Sequence, residues 1–287
     1  MNERQPVAIV TGGTHGIGRH IAHLLARDGW SVAVCSRDGE QSARFAADLG
    51  ETHGVPTYGA AADVRSATAL QTFANDVVER LGAPSAAIAN AAVPGPIGPL
   101  HVVDLAAWAD AVAVDLVGVA NTLAIFGALM AREGGGRLVA MSGGGVGGPH
   151  MSNAMSAYTC SKAAVAALTE SVAEELRPFG VTVNAVAPGA VATRFMDPVI
   201  AAGPTVVGER LFELTVRQRE APDSLDGLDR LLRVLLDPDA PVVTGRVLSA
   251  RWDDPEGLRA RPPDAESPLY RLRRIDGVLY VRATEEG

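Results

Sequence analysis

Tyr158 and Lys162 lie four residues apart in the stretch SAYTCSKAAV, and Lys162 is the only lysine in a 287-residue chain that uses arginine 24 times. A phenol with an ordinary pKa near 10 stays protonated at neutral pH, so it can give a proton to a carbonyl; with its pKa lowered it can take one from an alcohol. Either role wants a cation close by. Residues i and i+4 share one face of a helix, which points Tyr158 and Lys162 the same way and lets the ammonium stabilise a phenolate. A compact ammonium can also pass protons, whereas a guanidinium stays protonated. The competing reading, an exposed pair on a surface helix, leaves unexplained why the chain abandons arginine at this one position.

A second group of residues suits an anion. The segment VAIVTGGTHGIGRHIAHLL sets a strand, glycines at 12, 16 and 18, then a helix. Glycine serves where a backbone turns tightly or approaches a phosphate, and the helix start offers unpaired N–H groups and the positive end of its dipole. Gly12, Thr14, His15, Gly16, Ile17 and Gly18 therefore form a candidate cradle for a dinucleotide pyrophosphate. His20 and His23, one turn apart on the helix, lack acidic or cysteine companions and read as surface residues, so no metal site is expected.

Both groups need a scaffold, and the sequence supplies a repeating one. The runs PVAIVT (6–11), SVAVCS (31–36), TYGAAA (57–62), SAAIAN (85–90), RLVAMS (137–142), VTVNAVA (181–187) and GRVLSA (245–250) are apolar without polar alternation, as strands buried on both faces of a parallel sheet require. Helix-length segments ending at glycines lie between them, including a long one over 105–131 and another from Ser156, which begins the Tyr158 helix. The expected fold is α/β, a doubly wound parallel sheet of Rossmann-like type over residues 1–250, with a C-terminal extension over 251–287. In that extension YRLRRIDGVLYVRA predicts a β-hairpin around Asp-Gly, and the extension is expected to cover a site or meet another subunit. The segment from about Thr193 to Arg219 sits where a substrate-covering element belongs.

A net charge of −8 argues against a nucleic-acid or anionic-membrane surface, leaving small molecules and other protein chains as partners. Cys35 and Cys160 are too few and too far apart for a disulfide framework, which fits a reducing, cytoplasmic setting. The N-terminus shows no export signal. Ala111 to Ala131 approaches membrane-spanning length, but Asp115 and Asn121 interrupt it, so a buried helix is expected.

The order of motifs resembles the short-chain dehydrogenase/reductase family: Thr-Gly-x-x-x-Gly-x-Gly at 11–18, Asp63-Val64 after the third strand, Asn90-Ala91-Ala92 after the fourth, Tyr158-x-x-x-Lys162, and Pro188-Gly189 after the sixth. The resemblance implies reversible hydride transfer between a nicotinamide cofactor and a carbonyl or secondary alcohol. Tyr158 would be the acid or base, and Lys162 would lower the phenol pKa and hold the nicotinamide ribose. It further implies that Asp63 and Val64 border the adenine, Asn90 lines the cofactor channel, and Val191 and Thr193 contact the carboxamide. Homo-oligomers, dimers or tetramers, are common in the family, and the apolar helices at 105–131 and 156–179 could supply the faces. After the second strand stands CSRD. Ser36 and Arg37 suit a 2′-phosphate, which favours NADP; NAD is the alternative if Asp38 turns in to serve the ribose. His15 could assist if protonated.

Two positions depart from the family pattern. The substrate-orienting serine is usually about a dozen residues before the tyrosine; here Ser142 is sixteen before it, the next position is Gly143, and Ser152 is a further candidate. The family's helix asparagine, which supports a water leading to the lysine, corresponds to Asp115. That carboxylate loses the amide donor and would raise the lysine pKa. A non-redox lyase or isomerase that retains the cofactor, and a non-catalytic dinucleotide-binding protein, stay open beside the redox reading. Residues 93–100, 143–155 and 190–220 should line the pocket; they carry few charges, so an uncharged, moderately apolar substrate is expected.

Overall fold

The computed structural model describes residues 5–143, 154–264 and 266–271. Seven strands, β1 (Val7–Thr11), β2 (Ser31–Ser36), β3 (Thr57–Ala61), β4 (Ala86–Ala89), β5 (Gly136–Met141), β6 (Val181–Ala187) and β7 (Arg246–Ser249), form one sheet in the order β3-β2-β1-β4-β5-β6-β7. Every pairing is parallel. The helices in chain order are α1 (Gly16–Arg27), α2 (Gly39–His53), α3 (Ala67–Arg80), α4 (Leu105–Val112), α5 (Gly118–Arg132), α6 (Ser156–Leu176), α7 (Asp197–Ala202), α8 (Pro204–Val207), α9 (Glu209–Glu220), α10 (Asp226–Leu236) and α11 (Pro255–Ala260).

Successive strand side chains point to opposite faces, and here both faces are covered. Ala8, Val10, Val32 and Val34 join Ile21, Leu25, Phe45, Leu231 and Leu235 in one core. Val7, Ile9, Ala33 and Leu138 join Phe73, Leu123, Phe126 and Val165 in the other. That double burial is why the strand sequences show no polar alternation.

The single helix expected over 105–131 is interrupted. A π turn, Ala113–Val117, separates α4 from α5 and carries Asp115 at its centre. The wider turn offsets the two helices, so that Gly118 lies directly under Val64: a Cβ on Gly118 would come 2.5 Å from Val64 Cγ2. By length and composition alone Leu105–Arg132 could cross a membrane. In the fold its Val119, Leu123, Phe126 and Met130 are at most 1% exposed, packed on the sheet.

The extension lies along the outer edge of β7. Leu258 of α11 enters the first core, and the Val247 N–H donates to the Tyr270 carbonyl at 2.6 Å. Arg246, 1% exposed, anchors this return. Its Nη1 donates to the Ser267 and Leu269 carbonyls at 2.6 and 2.8 Å, and its Nη2 to the Asp264 carbonyl at 2.5 Å. The hairpin expected over 270–283 falls outside the described residues beyond Arg271. Replacing Arg246 with Met removes the donor for three carbonyls at once. The expected cost is about 2 kcal/mol or more, seen as a fall of roughly 5 °C in the thermal midpoint by circular dichroism; an unchanged midpoint would show that the extension is held by other contacts.

Candidate active site

In a parallel sheet the loops after every strand emerge at one edge. The chain winds away from β1 in both directions, so a crevice opens between the loops after β1 and β4. The Thr11 hydroxyl accepts from the N–H groups of Asn90 and Ala91 at 3.0 and 3.2 Å. The Asn90 amide in turn donates to the Thr11 and Gly12 carbonyls at 2.9 and 3.3 Å. Gly18 completes the clamp, since a Cβ there would lie 2.4 Å from both Asn90 Nδ2 and the Gly12 oxygen. Asn90 thus holds the glycine turn in shape with the amide that was expected to line the channel.

The turn fits a pyrophosphate. Side chains of Asp38, Ser66 and Asp104 cap α2, α3 and α4, but no side chain caps α1, and its first turn holds no acidic residue. Its N–H groups face the crevice free of an internal carboxylate. Thr14 is buried and its hydroxyl is 2.8 Å from His15 Nδ1. Burial, then Arg194 and Arg19, push the His15 pKa down, which works against the protonated form that would assist a 2′-phosphate. Thr193 closes over the turn from the far side, with its Cγ2 3.1 Å from where a Gly16 Cβ would stand. Ile17, in the first turn of α1, and Val191, after β6, are both half-buried.

At the end of β2, Asp38 caps α2 by accepting from the Gln41 N–H at 2.9 Å, and Ser36 Oγ bonds to Asp38 and Ser42. Arg37 is exposed beside them. Asp63 is engaged by Arg65, whose Nη2 lies 2.6 Å from Oδ2; this pairing, aided by Arg37, holds the Asp63 carboxyl below its usual pKa. Arg65 also reaches Asp110. Val64 is held through its carbonyl by Asn121 Nδ2 at 2.9 Å. After β6, the Pro188-Gly189 turn is fixed by Asp223, which accepts from the Ala190 N–H at 2.8 Å and pairs with Arg251. The supporting roles of Arg65, Asn121 and Asp223 were not anticipated. Thr11 could have been, since it begins the Thr-Gly motif, whereas Asp223 follows its partner by more than thirty residues and nothing local marks it.

Tyr158 and Lys162 occupy α6, which Ser156 opens while its hydroxyl accepts from Trp108 Nε1 at 3.0 Å. Lys162 is 2% exposed and donates to the Met141 carbonyl at 2.8 Å, with Nζ 5.6 Å from the centre of the Tyr158 ring. Burial lowers the Lys162 pKa, and Asp115 opposes that only in part, so the expected net rise is reversed. The phenol also departs from expectation: burial first and the Asp115 charge second push its pKa up. Asp115, wholly buried, accepts from the Val93 N–H at 2.8 Å through Oδ1.

The serine position stays unfilled by a hydrogen-bonded hydroxyl. Ser142 Oγ is buried without a hydrogen-bond partner among the described residues, and Ser152 lies outside them. Gly143 packs against the phenol so closely that a Cβ would come 2.3 Å from Tyr158 Oη. Against the ring, Phe195 lies tilted at 4.8 Å between centroids, and Met155 before α6, Val199 of α7 and Val207 of α8 complete a small apolar cluster. The histidines of α1 are not simple surface residues: His20 meets Asp229 of α10, and His23 is 3.1 Å from His53. No cluster of three or more metal-ligating side chains occurs among the described residues. Cys35 is buried, with its thiol pushed up to about 12, and Cys160 is exposed.

The chain matches the short chain dehydrogenase family over residues 6–202 and belongs to it. It is accordingly an oxidoreductase of the class working between a CH–OH group and a carbonyl. Among similar proteins are the 3-oxoacyl-(acyl-carrier-protein) reductase FabG of Staphylococcus aureus, 32% identical over 66% of this chain and 76% of that protein, and the short-chain dehydrogenase/reductase eriH of Hericium erinaceus, 36% identical over 65% and 75%. Similar solved structures include an actinorhodin polyketide ketoreductase with NADPH, with a TM-score of 0.74 and 30% identity over 87% of this chain and 97% of that one. Another is an NAD+-bound xylitol dehydrogenase, with a TM-score of 0.73 and 26% identity over 86% and 98%.

Restoring the family's serine by Gly143→Ser would drive its Cβ into the phenol. The expected outcome is a loss of about tenfold or more in kcat, because displacing a reacting group by about 1 Å is costly; a gain in turnover would refute the packing argument.

Proposed function

We propose that the protein is an NADP(H)-dependent oxidoreductase that interconverts an uncharged, moderately apolar ketone and its secondary alcohol, with Tyr158 as general acid or base. The observation that carries this reading is the partly buried Tyr158 and buried Lys162 on one face of α6, with an apolar cluster against the phenol, in a fold whose glycine-turn helix is uncapped. A dinucleotide held by its pyrophosphate at that turn would supply or accept the hydride through its nicotinamide. Tyr158 gives its proton to the oxygen formed in reduction and takes one from the alcohol in oxidation. Lys162, held on the Met141 carbonyl, keeps a positive charge beside the ring and holds the nicotinamide ribose. Gly12, Gly16, Gly18 and Thr14 bind the pyrophosphate, and Val64, Pro188, Gly189, Val191 and Thr193 border the rest of the cofactor. With no hydroxyl at Gly143, Ser142 is the proposed second contact to the substrate oxygen.

The choice of NADP rests on Arg37 standing exposed at the end of β2 while the neighbouring Asp38 carboxylate is spent on capping α2. Similar structures hold either nicotinamide cofactor, so the proposal of NADP draws on this local chemistry alone. Replacing Arg37 with Ala should raise KM for NADPH about tenfold or more and leave KM for NADH little changed; equal effects on both would exclude a 2′-phosphate contact. We further propose that the enzyme works in the cytoplasm as a homo-oligomer, with the exposed apolar residues Leu105, at the start of α4, and Val117, at the end of the π turn, available to meet a second copy.

The direct test is NADPH oxidation with cyclohexanone, acetophenone, 1-tetralone and ethyl acetoacetate. Tyr158→Phe should lower kcat by about 10² to 10⁴ with cofactor binding retained. Conversion of substrate without net nicotinamide turnover would instead favour a lyase or isomerase.

A further inference from the structure

Asp115 stands at the centre of the π turn with no solvent exposure. Its Oδ1 is satisfied by the Val93 N–H, but Oδ2 is also buried and has no hydrogen-bond partner among the described residues. An orphaned carboxylate oxygen in an apolar enclosure is costly, and it remains only where something else depends on it. The turn packs between α4, α5 and α6. From α6 the groups that act on Asp115 are Lys162 and Tyr158. On α4, Asp110 is exposed and paired with Arg65, and from the loop after β4 the polar contact is the Val93 N–H. On α5 the one titratable side chain is Arg132, at the far end of the helix.

We infer that Asp115 is a positioning residue: its buried carboxylate, on the π turn packed against α6, acts on the Lys162–Tyr158 pair and moves the alkaline onset of alcohol oxidation above where a neutral residue would leave it. The inference rests on the proposed acid–base role of Tyr158. Reduction starts from the phenol, which is the form this carboxylate favours. Oxidation needs the phenolate beforehand, and forming it places a second negative charge beside Asp115. Burial raises the Asp115 carboxyl to about 6, with Lys162 and the Val93 N–H offsetting only part of the rise. The carboxylate is therefore the main form at neutral pH and is discharged as the pH falls through about 6.

Asp115→Asn keeps an acceptor for the Val93 N–H and removes the charge, and Asp115→Ser is a second neutral variant if the first folds poorly. Two measurements decide. In infrared difference spectra between pH 5 and pH 8, the wild-type protein should show a carboxylic-acid C=O band that both variants lack. With the fastest ketone of the panel and its alcohol, the variants should raise the ratio of oxidation to reduction kcat at pH 8 by about threefold or more and move the alkaline onset of oxidation to lower pH; one pKa unit is tenfold in phenolate. Absence of the Asp115-dependent band, or an unmoved ratio and onset, would overturn the inference. Full activity of Tyr158→Phe would instead sink the acid–base reading, while the infrared result would still report on the Asp115 proton.

Discussion

The hydrogen bonds that join Thr11 and Asn90 hold together the place where the sheet reverses its winding. Thr11 ends β1, Asn90 follows β4, and the two strands are neighbours only because the chain left β1 in one direction and returned on its other side. Without that bridge the glycine turn would be an ordinary mobile loop. With it, the Gly12 carbonyl is fixed and α1 is aimed at the crevice. The close approach of Gly18 then follows, since no side chain fits between Asn90 and the Gly12 carbonyl. A rigid anion cradle costs nothing further at the moment of binding, because its N–H groups are already oriented.

The other half of the site is organised by burial of charge. Lys162 carries an ammonium to a position of 2% exposure, where a carbonyl at the end of β5 and the distant Asp115 are its compensation. Burying an ion is tolerated when hydrogen bonds and an opposite charge share the low-dielectric space. This places strand β5, helix α6 and the π turn in one electrostatic unit, and a change in any of them is felt at the phenol. Gly143 belongs to the same unit by shape: the ring of Tyr158 fills the space in which a side chain would have stood.

Most of the scaffold was legible because its signals are local. Non-alternating apolar runs marked all seven strands within a residue or two, and the four-residue spacing of Tyr158 and Lys162 placed them on one helix face, as found. The features that escaped depend on contacts distant in sequence. The π turn arises from how 105–132 packs over Val64 and beneath α6, while the local pattern is that of a continuous apolar helix. Asp63 was expected to border the adenine, and nothing in its spacing showed that Arg65, itself shared with Asp110, would pair with it. His20 looked exposed because Asp229, more than two hundred residues away, is invisible to helical spacing. The shift of the phenol follows the same rule: spacing shows that an ammonium is near, while burial and Asp115 set the sign.

The extension shows how a residue ill-suited to a core can become structural. An arginine on a last strand would ordinarily mark an exposed edge, and edge strands invite pairing with other chains. Arg246 instead turns its guanidinium to three carbonyls of the returning chain, and the Val247 N–H, which such an edge leaves free, is taken by Tyr270. The sheet edge is closed from within the same chain. Edge-to-edge pairing through β7 is thereby blocked at these positions.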